Sequence, residues 1–236
     1  MGRISQFGYL LLCLLLLTAC DQKQGLSQKP APYPGLGKPN PRFIPPYDYW
    51  YFNFVYPYAL PADVTYVKWL DTDGFLHIHR TTDGTQGLTK SVGRWVHPIG
   101  GHNQSFNKGH AMPVKMRFCW DSIIDKKVYQ TTLIFPRWLW ERMLVPVNPQ
   151  GDLSNSTNYR DVIIIGLAPQ GKVRAWLSVH EKNDLLITTV NSQSGEELTM
   201  CKGITGSKFT YRYPFDGYTQ QTIDFIKDKK YPYGEW

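Results

Sequence analysis

The sequence predicts a mainly β domain: an antiparallel β-sandwich with two short peripheral helices, a β-rich α+β fold. Three observations lead there. Short segments that alternate or run apolar, enriched in β-branched and aromatic residues, recur at 64–70, 75–81, 88–96, 114–120, 127–135, 162–167, 173–178 and 185–190, the pattern of strands half or wholly buried in packed sheets. Several are separated by Asp73-Gly74, Asp83-Gly84 or Gln170-Gly171, where glycine supplies the positive φ of a tight hairpin. Only residues 136–145 and 219–229 space their apolar side chains at three and four, and Pro136 suits the first turn of a helix because its missing N–H would be unpaired there anyway.

Ahead of the domain lie two segments of different character. Arg3 precedes an apolar run at 7–17 that ends in Leu17-Thr18-Ala19-Cys20. That run is about half the ~20 residues a membrane-spanning helix needs, and small residues sit just before a cysteine. Residues 1–19 therefore read as a lipoprotein signal peptide, with Cys20 as the lipidated first residue of the mature chain. Residues 20–46 carry Pro30, Pro32, Pro34, Pro39, Pro41, Pro45 and Pro46, which block helix and sheet pairing and keep a tether extended. The globular domain is expected at 47–236. Asp21 followed by Gln22 resembles the retention signal of enterobacterial lipoproteins. The expected address is thus a lipid anchor on the periplasmic side of the inner membrane, with the outer membrane as the alternative.

The chain has 26 Lys and Arg against 19 Asp and Glu. Arg3 is the only charge in the signal, so the mature chain stays basic at about +6. Basic groups such as Lys126-Lys127 and Lys227 are scattered or interleaved with Asp224 and Asp228, which reads as a solvated face. An anionic lipid surface or an acidic partner suits the net charge. Nucleic acid does not, since no helix-turn-helix, zinc-finger or aromatic RNA-binding motif is present. Of the four cysteines, Cys13 leaves with the signal and Cys20 takes the lipid. Cys119 and Cys201 remain for the domain, either bridged, as an oxidising periplasm permits, or as two buried thiols.

No constellation names a reaction. His77 and His79 are two apart in a predicted strand and share a face, and His97, His102 and His110 flank a glycine-rich loop at 98–113. Zinc needs three or four converging ligands, however, and only the first pair has a spacing that forces proximity. Asp71-Thr72-Asp73-Gly74 and Thr81-Thr82-Asp83-Gly84 read as hairpin punctuation, lacking the further oxygen ligands of a calcium loop. There is no Gly-x-Ser-x-Gly elbow, and His180-Glu181 follows a strand as a solvent-facing turn would. No catalytic, cofactor-binding or metal residue is assigned, and a non-enzymatic protein is expected. The aromatics Tyr47, Tyr49, Trp50, Tyr51, Phe52, Phe54, Tyr56 and Tyr58, with Trp138, Trp140 and Trp236, serve core packing first. Any remainder would be binding anchors.

Three stretches taken together carry a family resemblance: the loop leading into Met112-Pro113-Val114-Lys115-Met116-Arg117-Phe118-Cys119-Trp120-Asp121-Ser122; then Lys127-Val128-Tyr129-Gln130; then Tyr159-Arg160-Asp161 through Ala168-Pro169-Gln170-Gly171-Lys172-Val173-Arg174-Ala175-Trp176. They resemble the lipoprotein family of Gram-negative bacteria catalogued as domain of unknown function 2931. The resemblance implies an envelope lipoprotein and brings no catalytic residues with it. Some relatives look like neighbours of secreted antibacterial effectors, which suggests an immunity role. The expectation is a membrane-anchored periplasmic protein that binds another protein and takes no cofactor. The alternative is a structural or ligand-binding envelope protein for cell-wall or lipid components. If Asp21 sets the address, Asp21→Ser is expected to move the protein from the inner to the outer membrane fraction on a density gradient; identical fractionation would count against that role.

Overall fold

The computed structural model describes residues 43–80, 85–96, 107–147, 158–178, 184–204 and 218–236. The signal, Cys20, most of the tether, Thr81-Thr82-Asp83-Gly84, His97, His102 and His180-Glu181 lie outside them. The described residues form two sheets packed face to face. The strands are β1 (Trp50–Pro57), β2 (Ala62–Asp71), β3 (Leu76–Arg80), β4 (Thr85–Leu88), β5 (Lys108–Gly109), β6 (Pro113–Ser122), β7 (Lys127–Ile134), β8 (Val162–Ala168), β9 (Lys172–Ser178), β10 (Leu185–Asn191) and β11 (Gln193–Ser194). Two helices, α1 (Arg137–Met143) and α2 (Gln220–Ile226), occur where the spacing of three and four predicts them. The first sheet runs β10-β9-β8-β1-β4, with β5 also paired to β1; the second runs β11-β7-β6-β2-β3. This is the predicted sandwich class.

The second sheet is antiparallel throughout. The first is mixed, because β1 pairs in parallel with both β4 and β8. Turn signals specify only local antiparallel pairs. β1 meets β4 after the chain has crossed to the other sheet through β2 and β3, and meets β8 after a second crossing through β6 and β7, so both pairings form at long range.

β1 is also the strand the periodicity does not single out. Its sequence, Trp-Tyr-Phe-Asn-Phe-Val-Tyr-Pro, has no polar side because it is central and covered on both faces. A doubly buried strand reads as a continuous apolar run rather than an alternation. Trp50, Phe52 and Phe54 enter the main core with Val67, Trp69, Phe118, Leu133, Ile163 and Leu177, while Val55 turns outward to Leu88, Ile164 and Trp176. The predicted strand at 88–96 is displaced upstream to β4. Past Leu88 the chain turns, with Ser91 N–H donating to the Leu88 carbonyl and Gly93 at φ 69°, so no ladder continues. The packed region likewise starts before the expected Tyr47: Phe43 is only 7% exposed, its ring edge-on to Trp140 at 5.1 Å.

Side chains tie the turns into the sandwich. At the β2–β3 hairpin, Asp71 Oδ1 accepts from the N–H groups of Asp73 and Phe75 at 3.0 and 2.8 Å, and Gly74 takes φ 86°. That is the punctuation role the sequence predicts. At the other end the β6–β7 and β8–β9 turns meet on Asp125, whose carboxylate accepts from Tyr129 Oη at 3.0 Å, Tyr231 Oη at 2.7 Å and the Gln170 N–H at 2.9 Å. Gly171 is required here twice over: its φ is 70°, and a Cβ would lie 2.6 Å from the Tyr129 ring. The Ala168-Pro169-Gln170-Gly171 motif is therefore a turn shaped to seat that ring. α2 closes the same end, with Thr219 as its N-cap and Phe225 buried beside Leu60, Ile124, Ala168 and Trp236.

Burial, then the Asp125 carboxylate, pushes the Tyr129 hydroxyl far up from its ordinary pKa, and the same two causes raise Tyr231. Tyr47 is raised too, first by burial and then by Asp161. These phenols hold their protons in the folded state beyond the pH at which an unfolded chain, with tyrosines near 10, gives them up. Stability is thus unaffected by them below about pH 10 and declines as the pH climbs above it. Alkaline titration is expected to show a late rise in tyrosinate absorbance that coincides with loss of far-ultraviolet β signal. Complete ionisation of tyrosine with the fold intact would refute this.

Candidate functional site

The outer face of the second sheet gathers the charge. Strand alternation places Tyr66, Lys68 and Leu70 of β2 outward, with Leu76, Ile78 and Arg80 of β3, Lys115 and Arg117 of β6, and Thr132 and Ile134 of β7. The register sets these in rows. Ile78, Lys68, Arg117 and Thr132 lie across one, and Leu76, Leu70, Lys115 and Ile134 across the next, with Arg80 opposite Tyr66. Lys68 and Arg117 thus face each other directly, an arrangement that destabilises a sheet. Among the described residues the Arg137–Glu141 ion pair and the His77–Asp71 hydrogen bond both lie elsewhere. Ile78 and Ile134, 53% and 68% exposed, flank the cations. Between the rows sits a depression of about 180 Å³, lined by Lys68, Leu70, Leu76, Lys115 and Arg117.

A strap covers the adjoining part of that face. Residues 193–204 cross β7 and β6, held by a disulfide between Cys201 and Cys119 with their Cα atoms 5.5 Å apart. The buried side chain of Gln130 does the polar work beneath it. Its Oε1 accepts from the N–H groups of Thr199, Met200 and Cys201 at 3.2, 2.7 and 3.1 Å, and its Nε2 donates to Gln193 Oε1 at 2.9 Å. Arg117 Nη2 donates to Thr199 Oγ1 at 3.1 Å, which joins the strap to the cationic rows.

The histidines do not converge. His77 Nε2 donates to Asp71 Oδ2 at 2.8 Å, and its ring stacks on Trp69 with centroids 3.7 Å apart. Burial, and then His77 alongside, lowers the His79 imidazole from its ordinary value and so favours its neutral form. His110 belongs to the other sheet's margin, its ring tilted at 41° to Tyr49 with centroids 4.1 Å apart. Among the described residues no three His, Cys, Asp or Glu side chains come together. Of the crowded aromatics, Trp50, Phe52 and Phe54 are core. Trp236 is buried in the end cluster, and Trp140 donates to the Pro113 carbonyl at 2.6 Å.

Sequence reasoning named the two cysteines but read the basic residues as scattered. Lys68, Arg80, Lys115 and Arg117 lie up to 49 positions apart in the chain, and only the pairing register unites them. The available signal is the outward phase of cations within three predicted strands. Removing the bridge by Cys119→Ala with Cys201→Ala is expected to lower the unfolding free energy by roughly 4 kcal/mol, given the 82-residue separation. Denaturant unfolding under oxidising conditions checks this, and a loss below ~1 kcal/mol would mean that the contacts of Gln130 and Arg117 and the β11–β7 pairing fix the strap without the bridge.

Among the described residues no helix is long and apolar enough to cross a membrane. Comparison with curated proteins found no match, and neither did comparison with solved structures. The sequence model of the family described as protein of unknown function (DUF2931) matches residues 27–234, and the chain belongs to that family.

Proposed function

We propose that this protein is a lipid-anchored, non-enzymatic binding module on the periplasmic side of a membrane, and that the cationic outer face of the second sheet docks an acidic protein. The observation that carries the proposal is the Lys68–Arg117 pairing, flanked by Lys115 and Arg80 and ion-paired with no carboxylate among the described residues. Like charges held on a rigid sheet at a cost in stability are relieved when a complementary partner arrives. The exposed Ile78 and Ile134 give that partner an apolar footing inside the charged frame, the mixture that distinguishes a protein interface from a purely electrostatic surface. A secreted antibacterial effector, neutralised on arrival, is the leading instance of such a partner. Cys20 would supply the anchor and residues 20–46 the reach.

The test is affinity purification of the tagged, membrane-anchored protein from its native host, then reconstitution with the recovered protein in purified form. An acidic partner binding one to one is expected. Its dissociation constant should rise about tenfold or more with Lys68→Glu plus Arg117→Glu, and affinity should fall as salt increases. A partner indifferent to the charge reversal, or retention only on anionic vesicles without protein, would overturn the proposal.

A further inference from the structure

A second concavity shares no residue with the cationic face and has the opposite chemistry. It opens where the ends of β1 and β4 meet α2, with a volume of about 240 Å³. Two tyrosines, Tyr56 and Tyr58, line it together with Gly87, Thr89, Thr219 and Gln221, and no charged side chain does. The walls are fixed from behind. Tyr58 N–H donates to the Ser91 carbonyl at 3.0 Å, and its ring stands edge-on to Phe225 at 5.6 Å. Thr222 Oγ1 donates to the Ala59 carbonyl at 2.9 Å, which secures the helix that carries Gln221. Gly87 makes room for the cleft: a Cβ there would sit 2.9 Å from the Tyr56 ring and force it aside.

Composition and size select the ligand. With no charge in the lining, an ionic ligand would lose its hydration without an ion pair in return. A wholly apolar ligand would strip water from Thr89 and Gln221 and leave them unpaired. Threonine hydroxyls and the glutamine amide can each donate and accept, and a tyrosine offers a flat apolar face with a polar tip. A pyranose answers both, with C–H groups on one face and hydroxyls around its rim. The volume lies below the ~300–1,000 Å³ of pockets that take drug-sized ligands, so it suits one ring rather than a chain of them. We infer that this cleft is a binding site for one neutral sugar ring, stacked on a tyrosine face and hydrogen-bonded by Thr89 and Gln221.

Saturation-transfer NMR on the purified full chain in detergent tests this, with N-acetylglucosamine and glucose as probes, and acetate and glucosamine as charged controls. Transfer to at least one neutral sugar is expected, with a dissociation constant on the order of 1–10 mM. Tyr58→Ala and Gly87→Val should each reduce it about tenfold. Gln221→Ala changes an exposed side chain and so keeps the test informative if either of the others unfolds; circular dichroism checks folding. Sedimentation with isolated peptidoglycan sacculi then separates the sources: binding assigns the ring to wall glycan, and transfer without sedimentation assigns a free sugar. No transfer to either sugar, transfer equal to that of the charged controls, or transfer unchanged in folded Gln221→Ala and Tyr58→Ala would overturn the inference.

Discussion

Burial of β1 on both faces is the constraint on which the rest of the structure depends. Trp50, Phe52 and Phe54 fill the space between the sheets, and Val55 meets a second layer of apolar side chains on the other side. Fully burying side chains of this size contributes about 1.5–3 kcal/mol each, and the same strand satisfies its backbone through β4, β5 and β8. A strand covered twice needs a cover on its outer side. Here Trp95 provides it, touching Trp176 at 5.3 Å and Trp236 at 5.5 Å, so the chain terminus completes the coat over the first sheet. The interior polar groups near β1 are answered locally: Asn107 Nδ2 donates to the Phe52 carbonyl at 2.8 Å and to Asn53 Oδ1 at 2.9 Å.

That burden on the first sheet leaves the second to face outward. Its inner side chains belong to the common core, and its outer side is divided between the disulfide-bound strap and the rows of cations. The division follows from register. Cys119 lies two residues beyond Arg117 on the same side of β6, and Gln130 lies opposite Cys119 on β7, so covered and uncovered parts of the face are successive steps along one ladder. A shift of one residue in β6 would turn Lys115, Arg117 and Cys119 into the core together. Core packing and surface charge are therefore specified by the same pairings.

Much of this was legible in the sequence, and the unreadable part has physical causes. Alternation located β2, β3, β6, β7, β9 and β10, a short apolar run located β8, and spacing of three and four located both helices. β1 was read as an aromatic cluster rather than a strand because two covered faces erase the alternation. β4 was placed too late, since apolar Leu88, Val92 and Val96 continue past the point where Gly93 turns the backbone. Counting left Cys119 and Cys201 to the domain, bridged or as two buried thiols, and only the tertiary fold brings their Cα atoms to 5.5 Å. The cationic rows were not legible, because no local feature ties Lys68 to Arg117, and the cleft brings together residues more than 100 positions apart.

The strap also has a consequence for when the molecule is finished. A bond between Cys119 and Cys201 closes a loop that includes β7, α1, β8, β9 and β10, so most of the domain must be synthesised before the second thiol is at hand. Disulfides seldom persist in a reducing cytosol. In a reducing compartment residues 193–204 are held on the sheet by Gln130, Arg117 and the β11–β7 pairing without a covalent bond, whereas an oxidising one locks them down. The outer face is thus a surface with a birthplace, its final form tied to the redox state of the compartment in which the chain matures.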